Sequence, residues 1–199
     1  MTIESTMGLS FRPAAAVDAE EAVPLIYSSG PAAFDYVFKL RDDLTAEDFL
    51  RTAFLDGAGE FGWRNHVVGE LDGKIVAAGA GWSGDRGLAF MIAGARQIFR
   101  CYRPIAGAGV IVRALRAEAV IPPPSRTRYV VAHLGVRPAM RGQGIGKALI
   151  EHLIEIGRAR GIEIASLDVA MWPTVQRCSA SRPRRGEPER ESRASGLPA

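Results

Sequence analysis

The chain has 199 residues, of which 47% are hydrophobic and 24% charged, and a formal net charge of +3. This length and composition predict a single globular domain with one core. Its two cysteines are too few for a disulfide framework or for a zinc site made of thiolates. We therefore expect a cytoplasmic protein without a metal.

The distribution of arginines argues against two classes of partner. Six arginines lie within residues 177–199, so the basic balance belongs to the end of the chain and does not form a stripe across the domain. This argues against nucleic acid as a partner. The most apolar region, from Leu88 to Leu115, contains four further arginines, which excludes a simple membrane-spanning helix.

The first half of the chain carries clear local signals. Leu9–Pro13 predicts a short opening strand, and the capping-box sequence Thr45–Asp48 predicts the start of a helix. Residues 66–71 and 74–80 predict two strands, and the Asp72-Gly73 pair between them favours a hairpin turn.

The second half predicts helices followed by a strand, a helix and a strand. Residues 85–121 predict two helices that break near Arg103-Pro104. Arg128–Val136 is nearly all apolar, as in a central strand that is covered on both faces. Residues 144–160 predict an amphipathic helix and 162–170 another strand, and this order predicts a right-handed parallel crossover.

The turn between the central strand and the amphipathic helix is basic and rich in glycine. Gly142, Gly144 and Gly146 let an anion approach the backbone N–H groups closely, and the positive end of the helix adds to the attraction. The turn is not a P-loop, because Arg141 and Ala148 stand where that motif needs a glycine and a hydroxyl residue. The glycine spacing also differs from the dinucleotide-binding fingerprint. We predict a site for a diphosphate group.

The stretch Arg141-Gly-Gln-Gly144-Ile-Gly146 resembles the Arg/Gln-x-x-Gly-x-Gly/Ala signature of the GCN5-related N-acetyltransferase (GNAT) superfamily. Leu134–Pro138 is similar to the end of that family's fourth strand, and Leu9–Ala14 to its opening strand. The resemblance implies an α/β (α+β) fold with a mixed, splayed β-sheet flanked by helices, here with a helical insert between the third and fourth strands. That insert either shapes the acceptor pocket or forms a homodimer contact.

The resemblance also implies a cofactor site and a reaction. Acetyl-CoA would lie where two parallel strands part, and its acetyl group would pass directly to a primary amine of a small molecule or a peptide. The implied cofactor-binding residues lie at the end of the fourth strand and in the turn: Leu134, Val136, Arg141, Gly142, Gln143, Gly144, Ile145, Gly146 and Lys147.

Two catalytic residues are candidates. The resemblance implies that the backbone N–H of Val136 donates to the thioester oxygen. His133 is the candidate base, because an imidazole titrates in the useful range and this one directly precedes the cofactor segment. Glu60, His66 and Glu70, near the first hairpin, are weaker candidates for the base.

The end of the chain departs from the family pattern. Trp172 and Ser179 stand where the family usually has an asparagine and a tyrosine that protonates the leaving thiolate. We therefore expect a flexible start over residues 1–8, an acetyltransferase domain over 9–176 and a disordered tail over 177–199, with one edge of the last strand unpaired. The alternative function is a catalytically impaired acyl-CoA-binding remnant. The tail itself fits either natural divergence or an out-of-frame ending of the gene.

Overall fold

The computed structural model describes residues 8–40, 44–118, 127–170 and 175–179. Its centre is a six-stranded sheet in which the strands follow chain order. Neighbouring strands are antiparallel except for the fourth and fifth, which are parallel. The strands are β1 (Ser10–Pro13), β2 (His66–Leu71), β3 (Lys74–Ser83), β4 (Arg128–Val136), β5 (Ile164–Ala170) and β6 (Val175–Ser179).

Helices cover both faces of this sheet. They are α1 (Ala19–Ser28), α2 (Pro31–Phe38), α3 (Ala46–Asp56), α4 (Gly87–Cys101), α5 (Pro104–Glu118) and α6 (Ile145–Ala159). The mixed sheet and the helical insert α4–α5 between β3 and β4 confirm the predicted fold class. The short helix α2 was not predicted. None of the helices in the described ranges has the length and apolar character needed to cross a bilayer.

Two local predictions are confirmed in detail. Thr45 caps α3, with its hydroxyl accepting from the Asp48 N–H at 3.2 Å and its own N–H donating to the Asp48 carboxylate at 2.9 Å. Asp72 and Gly73 have φ angles of 52° and 72°, which is the left-handed pair that a two-residue hairpin needs.

The two faces of the sheet have separate cores. Helix α6 packs on one face, where Leu149 and Leu153 meet Val67, Val76 and the fully buried Tyr129. On the other face, α1 and α3 cover a second cluster, which includes Ile26, Phe54 and Val68 among its members.

The parallel strands part halfway along β4. Pairing runs from Arg128 with Ile164 to Val131 with Leu167, and the rest of β4 continues without β5 beside it. Immediately after that point, the register between β3 and β4 shifts at a bulge. His133 lies in the bulge with a φ of 56°, a conformation that is uncommon for a residue with a side chain. The splayed sheet is thus formed by the carboxyl half of β4.

One prediction about the end of the chain is wrong. The outer edge of β5 is paired, because β6 lies antiparallel to it from Ser166 opposite Ser179 to Ala170 opposite Val175. The composition after Val175 indicates only that few apolar side chains can be buried, whereas strand pairing uses backbone N–H and C=O groups that every residue in β6 has. Residues 177–179 therefore belong to the sheet, and the rest of the predicted tail lies outside the described residues.

Candidate functional site

A cavity of about 430 Å³ lies beside the splayed half of β4. It extends from the strand to the glycine-rich turn and the start of α6. Its lining residues come from α1, β4, the turn and α6: Ser28, Leu134, Gly135, Val136, Arg141, Gly146, Leu149 and Ile150. Four of the residues proposed from sequence as cofactor ligands therefore face a common space.

The turn is built from backbone conformations that favour glycine. Gly142 and Gly144 have φ angles of 80° and 79°, and no atom of the described residues lies within 4 Å of the position that a Cβ atom would take at either residue. Glycine is thus required here by the backbone conformation and not by crowding. Gly144 is also the N-cap of α6. Because glycine has no side chain, the first N–H groups of that helix receive no hydrogen bond from an N-cap side chain.

Val136 turns its backbone toward the open edge of the sheet. The next residue, Arg137, donates its N–H to Val76 of β3 at 2.8 Å. Because successive backbone groups of a strand point to alternate edges, the N–H and C=O of Val136 point away from β3, to the side that β5 has left. The C=O accepts a hydrogen bond from Nε of Arg141 at 3.1 Å.

The remaining residues of the turn lie in different environments. Gln143 is exposed, and Ile145 is 1% exposed and packs in the core under α6. The Lys147 ammonium is exposed and lies 3.8 Å from the carboxylate of Glu151, one helical turn further on. Of the two basic side chains proposed for the diphosphate, only Arg141 lines the cavity.

His133 lies on the other face of the sheet. Leu134 packs with the α6 cluster, while the His133 imidazole is enclosed by rings from four other segments. Phe61 and His66 stack on it with ring-centroid distances of 4.9 and 5.6 Å, and Phe34 and Trp82 lie at 6.1 and 5.8 Å. Ala132, the residue before His133, also packs with Trp82, so the bulge places two consecutive side chains of β4 on this face, and the alternation resumes at Leu134.

A carboxylate fixes the orientation of this imidazole. Nε2 of His133 lies 3.2 Å from Oε1 of Glu60, a distance at which a protonated Nε2 donates a hydrogen bond. Nδ1 then carries the lone pair, and this atom is buried without a hydrogen-bond partner among the described residues. The His133 side chain is 9% exposed and that of Glu60 39%, so the pair connects a buried nitrogen to the surface.

His66 lies next to His133 and is held neutral. Its Nδ1 lies 3.0 Å from the C=O of Gly62. Burial and the neighbouring His133 lower the pKa of His66 to about 3. A group with this pKa does not take up a proton near neutral pH, so His66 is unsuited to be the base.

Glu70, the last of the candidate bases, has a structural partner elsewhere, and so does the thiol of Cys101. Glu70 accepts a hydrogen bond from Arg12 at 2.7 Å, and Arg12 also pairs with the buried Asp18. Cys101 packs against the cluster between α2, α3 and α5, and burial raises the pKa of its thiol. Within the described part of the chain, no three His, Cys, Asp or Glu side chains gather in a group that could hold a metal ion.

Two features of the site were missed by the sequence analysis. A Cβ atom at Gly135 would lie 2.0 Å from the C=O of Leu25, so glycine is needed for α1 to approach β4 and bring Ser28 to the cavity. The segment that carries Glu60 is held by α4, through a side chain 37 positions further along the chain, at Gln97. Neither signal is local, because both depend on residues that are far apart in sequence.

Comparison with known proteins agrees with this geometry. The sequence pattern of the acetyltransferase (GNAT) family matches residues 34–177. A solved N-acetyltransferase from Staphylococcus aureus Mu50 is similar with a TM-score of 0.57 at 18% identity, over 80% of this chain and 80% of that chain. A second solved structure, described as an acetyltransferase, gives a TM-score of 0.55 at 17% identity with the same 80% coverage of both chains. Comparison with curated proteins gave no match. Because the family pattern spans most of the chain, the protein belongs to the acetyltransferase (GNAT) family, whose members transfer acetyl groups from acetyl-CoA.

Proposed function

We propose that this protein transfers an acetyl group from acetyl-CoA directly to the primary amine of a small molecule or a peptide. The observation that carries the proposal is the cavity beside the splayed half of β4, which is bounded at one end by the open backbone edge of Val136 and at the other by the glycine-rich turn. A strand edge and an anion-binding turn in one cavity suit a long ligand with an amide-containing arm and a diphosphate.

Different residues of the cavity would bind different parts of this ligand. The N–H groups of the turn from Arg141 to Gly146 would hold the diphosphate, and the Arg141 guanidinium would add a charge-assisted contact. The open edge at Leu134 and Val136 would pair with the pantetheine arm as one strand pairs with another. To do so, the Arg141 side chain must release the Val136 C=O, to which it now donates.

Two groups of β4 would take part in the transfer itself, the Val136 N–H at the open edge and the His133 imidazole. The Val136 N–H would donate to the thioester oxygen as the amine nitrogen attacks the carbonyl carbon. Nδ1 of His133, which is buried in this structure, would become accessible when the amine binds and take a proton from it, while Nε2–H of the same ring points at Glu60. The C–N bond forms, the C–S bond breaks, and the departing thiolate takes its proton from solvent.

The cofactor half of this proposal is tested by calorimetric titration of acetyl-CoA into the wild type and a Gly144→Glu variant. A carboxylate at this position would repel the diphosphate, so we expect micromolar binding by the wild type and none by the variant. The matched control is Gly161→Glu, which places the same side chain at a φ of 78° after the other end of α6, also with nothing within 4 Å. Equal loss in both variants would show that backbone strain, and not the blocked turn, causes the effect.

The transfer half is tested by measuring release of free CoA with a panel of primary amines. Turnover above spontaneous hydrolysis supports the enzyme. Binding that is abolished by Gly144→Glu, with no turnover on any amine, would instead favour an acyl-CoA-binding remnant. That alternative has one observation in its favour, since Ser179 stands in β6 where the family usually has its proton-donating tyrosine.

A further inference from the structure

The loop between α3 and β2 brings Glu60 to His133, and it is rich in glycine. Gly57 and Gly59 both have a φ of 74°, and a Cβ atom at Gly62 would lie 2.3 Å from the backbone of Gly57. Such a loop has little stiffness of its own, because glycine restricts the backbone least of all residues. Within the connection, Asn65 donates to the C=O of Gly59 at 2.6 Å, and the rest of the support for Glu60 comes from outside the loop.

Helix α4 of the insert supplies that support through one buried amide. Gln97 is 1% exposed, and its Nε2 donates both to the C=O of Ala58 at 2.9 Å and to the carboxylate of Asp56 at 3.0 Å. Ala93, one turn earlier on α4, lies against Gly59, since a Cβ atom there would be 3.0 Å from its methyl group. The two residues that precede Glu60 are thus both held by α4.

Asp56 anchors the amide to the end of α3. Besides Gln97, it accepts hydrogen bonds from Arg96 at 2.6 Å and from Arg100 at 2.7 Å. Although burial alone would raise it, the pKa of Asp56 lies below its usual range, because Gln97 and Arg96 donate hydrogen bonds to the carboxylate. The carboxylate is therefore charged near neutral pH, and it directs Gln97 toward the loop.

We propose that Gln97 is a positioning residue for acetyl transfer, and that it acts by holding the 57–62 loop so that the Glu60 carboxylate meets Nε2 of His133. This inference rests on the proposed function, in which His133 is the base. The inference gives the insert a role on the face of the sheet that carries His133. There, α4 would hold Glu60 beside the imidazole without touching the substrate.

The test is a Gln97→Met variant, which keeps the length of the side chain and removes both donors. We expect kcat to fall about 10- to 100-fold, as for a misplaced catalytic group, with the affinity for acetyl-CoA unchanged. The matched control is Tyr102→Phe, which removes the buried hydrogen bond that joins the end of α4 to the C=O of Phe38 at 2.6 Å. Tyr102→Phe loosens the insert away from the loop and should leave kcat within about twofold of the wild type.

A second readout separates this inference from the proposed function. Nitrogen NMR of the His133 ring, assigned with a His133→Gln spectrum, should show a single tautomer with Nε2–H in the wild type and a mixture in Gln97→Met. This holds even if no amine is ever acetylated. An unchanged tautomer in a folded Gln97→Met protein would overturn the inference and leave acetyl transfer standing.

Two further variants test whether Gln97 acts through Glu60. In a Glu60→Gln background, Gln97→Met should lower kcat no further, because the two residues act on one interaction; a full additional loss would overturn the inference. If Gln97→Met does not fold, Asp56→Asn takes its place, since it weakens the anchor of the same amide and should shift the tautomer in the same direction.

Discussion

The two faces of β4 are built in different ways. On the α6 face, the proposed cofactor site consists of neighbouring residues, from Leu134 to Gly146, and depends mainly on backbone groups and on glycines with positive φ. On the opposite face, His133 meets side chains from α2, the loop after α3, β2 and β3. The two sites join at a single bulge, where His133 and Leu134 point to opposite faces of the sheet.

This difference explains why one face can be read from sequence and the other cannot. A site made of consecutive backbone groups leaves a contiguous motif, whereas a site assembled from distant side chains leaves only isolated residues. It also makes the two faces separable by mutation. Changes around His133 should alter the rate and spare cofactor binding, and changes in the turn should weaken cofactor binding and spare the rate.

The largest separation is expected for His133→Gln. Loss of a general base lowers kcat by about 10²- to 10⁴-fold, while the cavity beside the splayed half of β4 keeps all of its lining residues. Steady-state kinetics and calorimetry on the same preparation would measure both quantities. A weakened affinity for acetyl-CoA that matches the loss in rate would show that the two faces are not independent.

Gly135→Ala should affect both stability and cofactor binding, because Gly135 lies in β4 between the cavity and helix α1. The added methyl group would lie 2.0 Å from the carbonyl oxygen of Leu25, a backbone atom that cannot rotate away. We expect α1 to shift, the free energy of unfolding to fall by about 1–3 kcal/mol or more, and acetyl-CoA binding to weaken with it.

Urea denaturation and calorimetry measure the two effects of Gly135→Ala. The control is Gly94→Ala in α4, where nothing lies within 4 Å of the added methyl group. There the same change should stabilise the protein by about 0.5–1 kcal/mol, because alanine favours the helix. A Gly135→Ala protein as stable as the wild type would mean that α1 does not need its close approach to β4.

The fold was largely predictable, because most of its signals are local. The capping box of α3, the Asp72-Gly73 turn, the apolar run of β4 and the glycine turn each lie within a few residues, and each forms as expected. Strand β6 was missed because its pairing depends on backbone groups, which composition does not report. At the site, His133 and Glu60 were both candidates, but their contact depends on a bulge and on Gln97, which no local pattern reveals.

The buried His66 should make the stability of the protein depend on pH. Its pKa is about 3 in the folded protein because of burial and the neighbouring His133, against about 6.5 in the unfolded chain. The unfolded state therefore binds more protons between these values, so stability is full above pH 6.5 and falls as the pH drops toward 3. The contribution of His66 approaches about 1.4 kcal/mol per pH unit within that window.

Urea denaturation at pH 7, 6 and 5 would measure this slope. A His66→Gln variant should lose the His66 contribution, although it starts from a lower stability because Gln cannot reproduce the stacking on His133 and the tilted ring contact with Phe54. His152→Gln is the control, since His152 lies on α6 and stacks on Phe11 away from this cluster. An identical slope in the wild type and His66→Gln would show that His66 is accessible to protons in the folded state.

The two basic side chains of the turn and the first helical turn, Arg141 and Lys147, lie in different places. Arg141, the first residue of the signature motif, lines the cavity, whereas Lys147, directly after the motif, lies near Glu151 and does not line the cavity. The two charges should therefore contribute unequally to binding. We expect Arg141→Ala to weaken acetyl-CoA binding about three- to fivefold and Lys147→Ala less than about twofold, as is usual for partly screened surface charges. Because salt screens such contacts, the difference between the two variants should shrink at high ionic strength. A larger effect of Lys147→Ala at low salt would mean that the diphosphate lies over the first turn of α6 and not against the end of β4. The proposed position of the cofactor in the cavity would then be wrong.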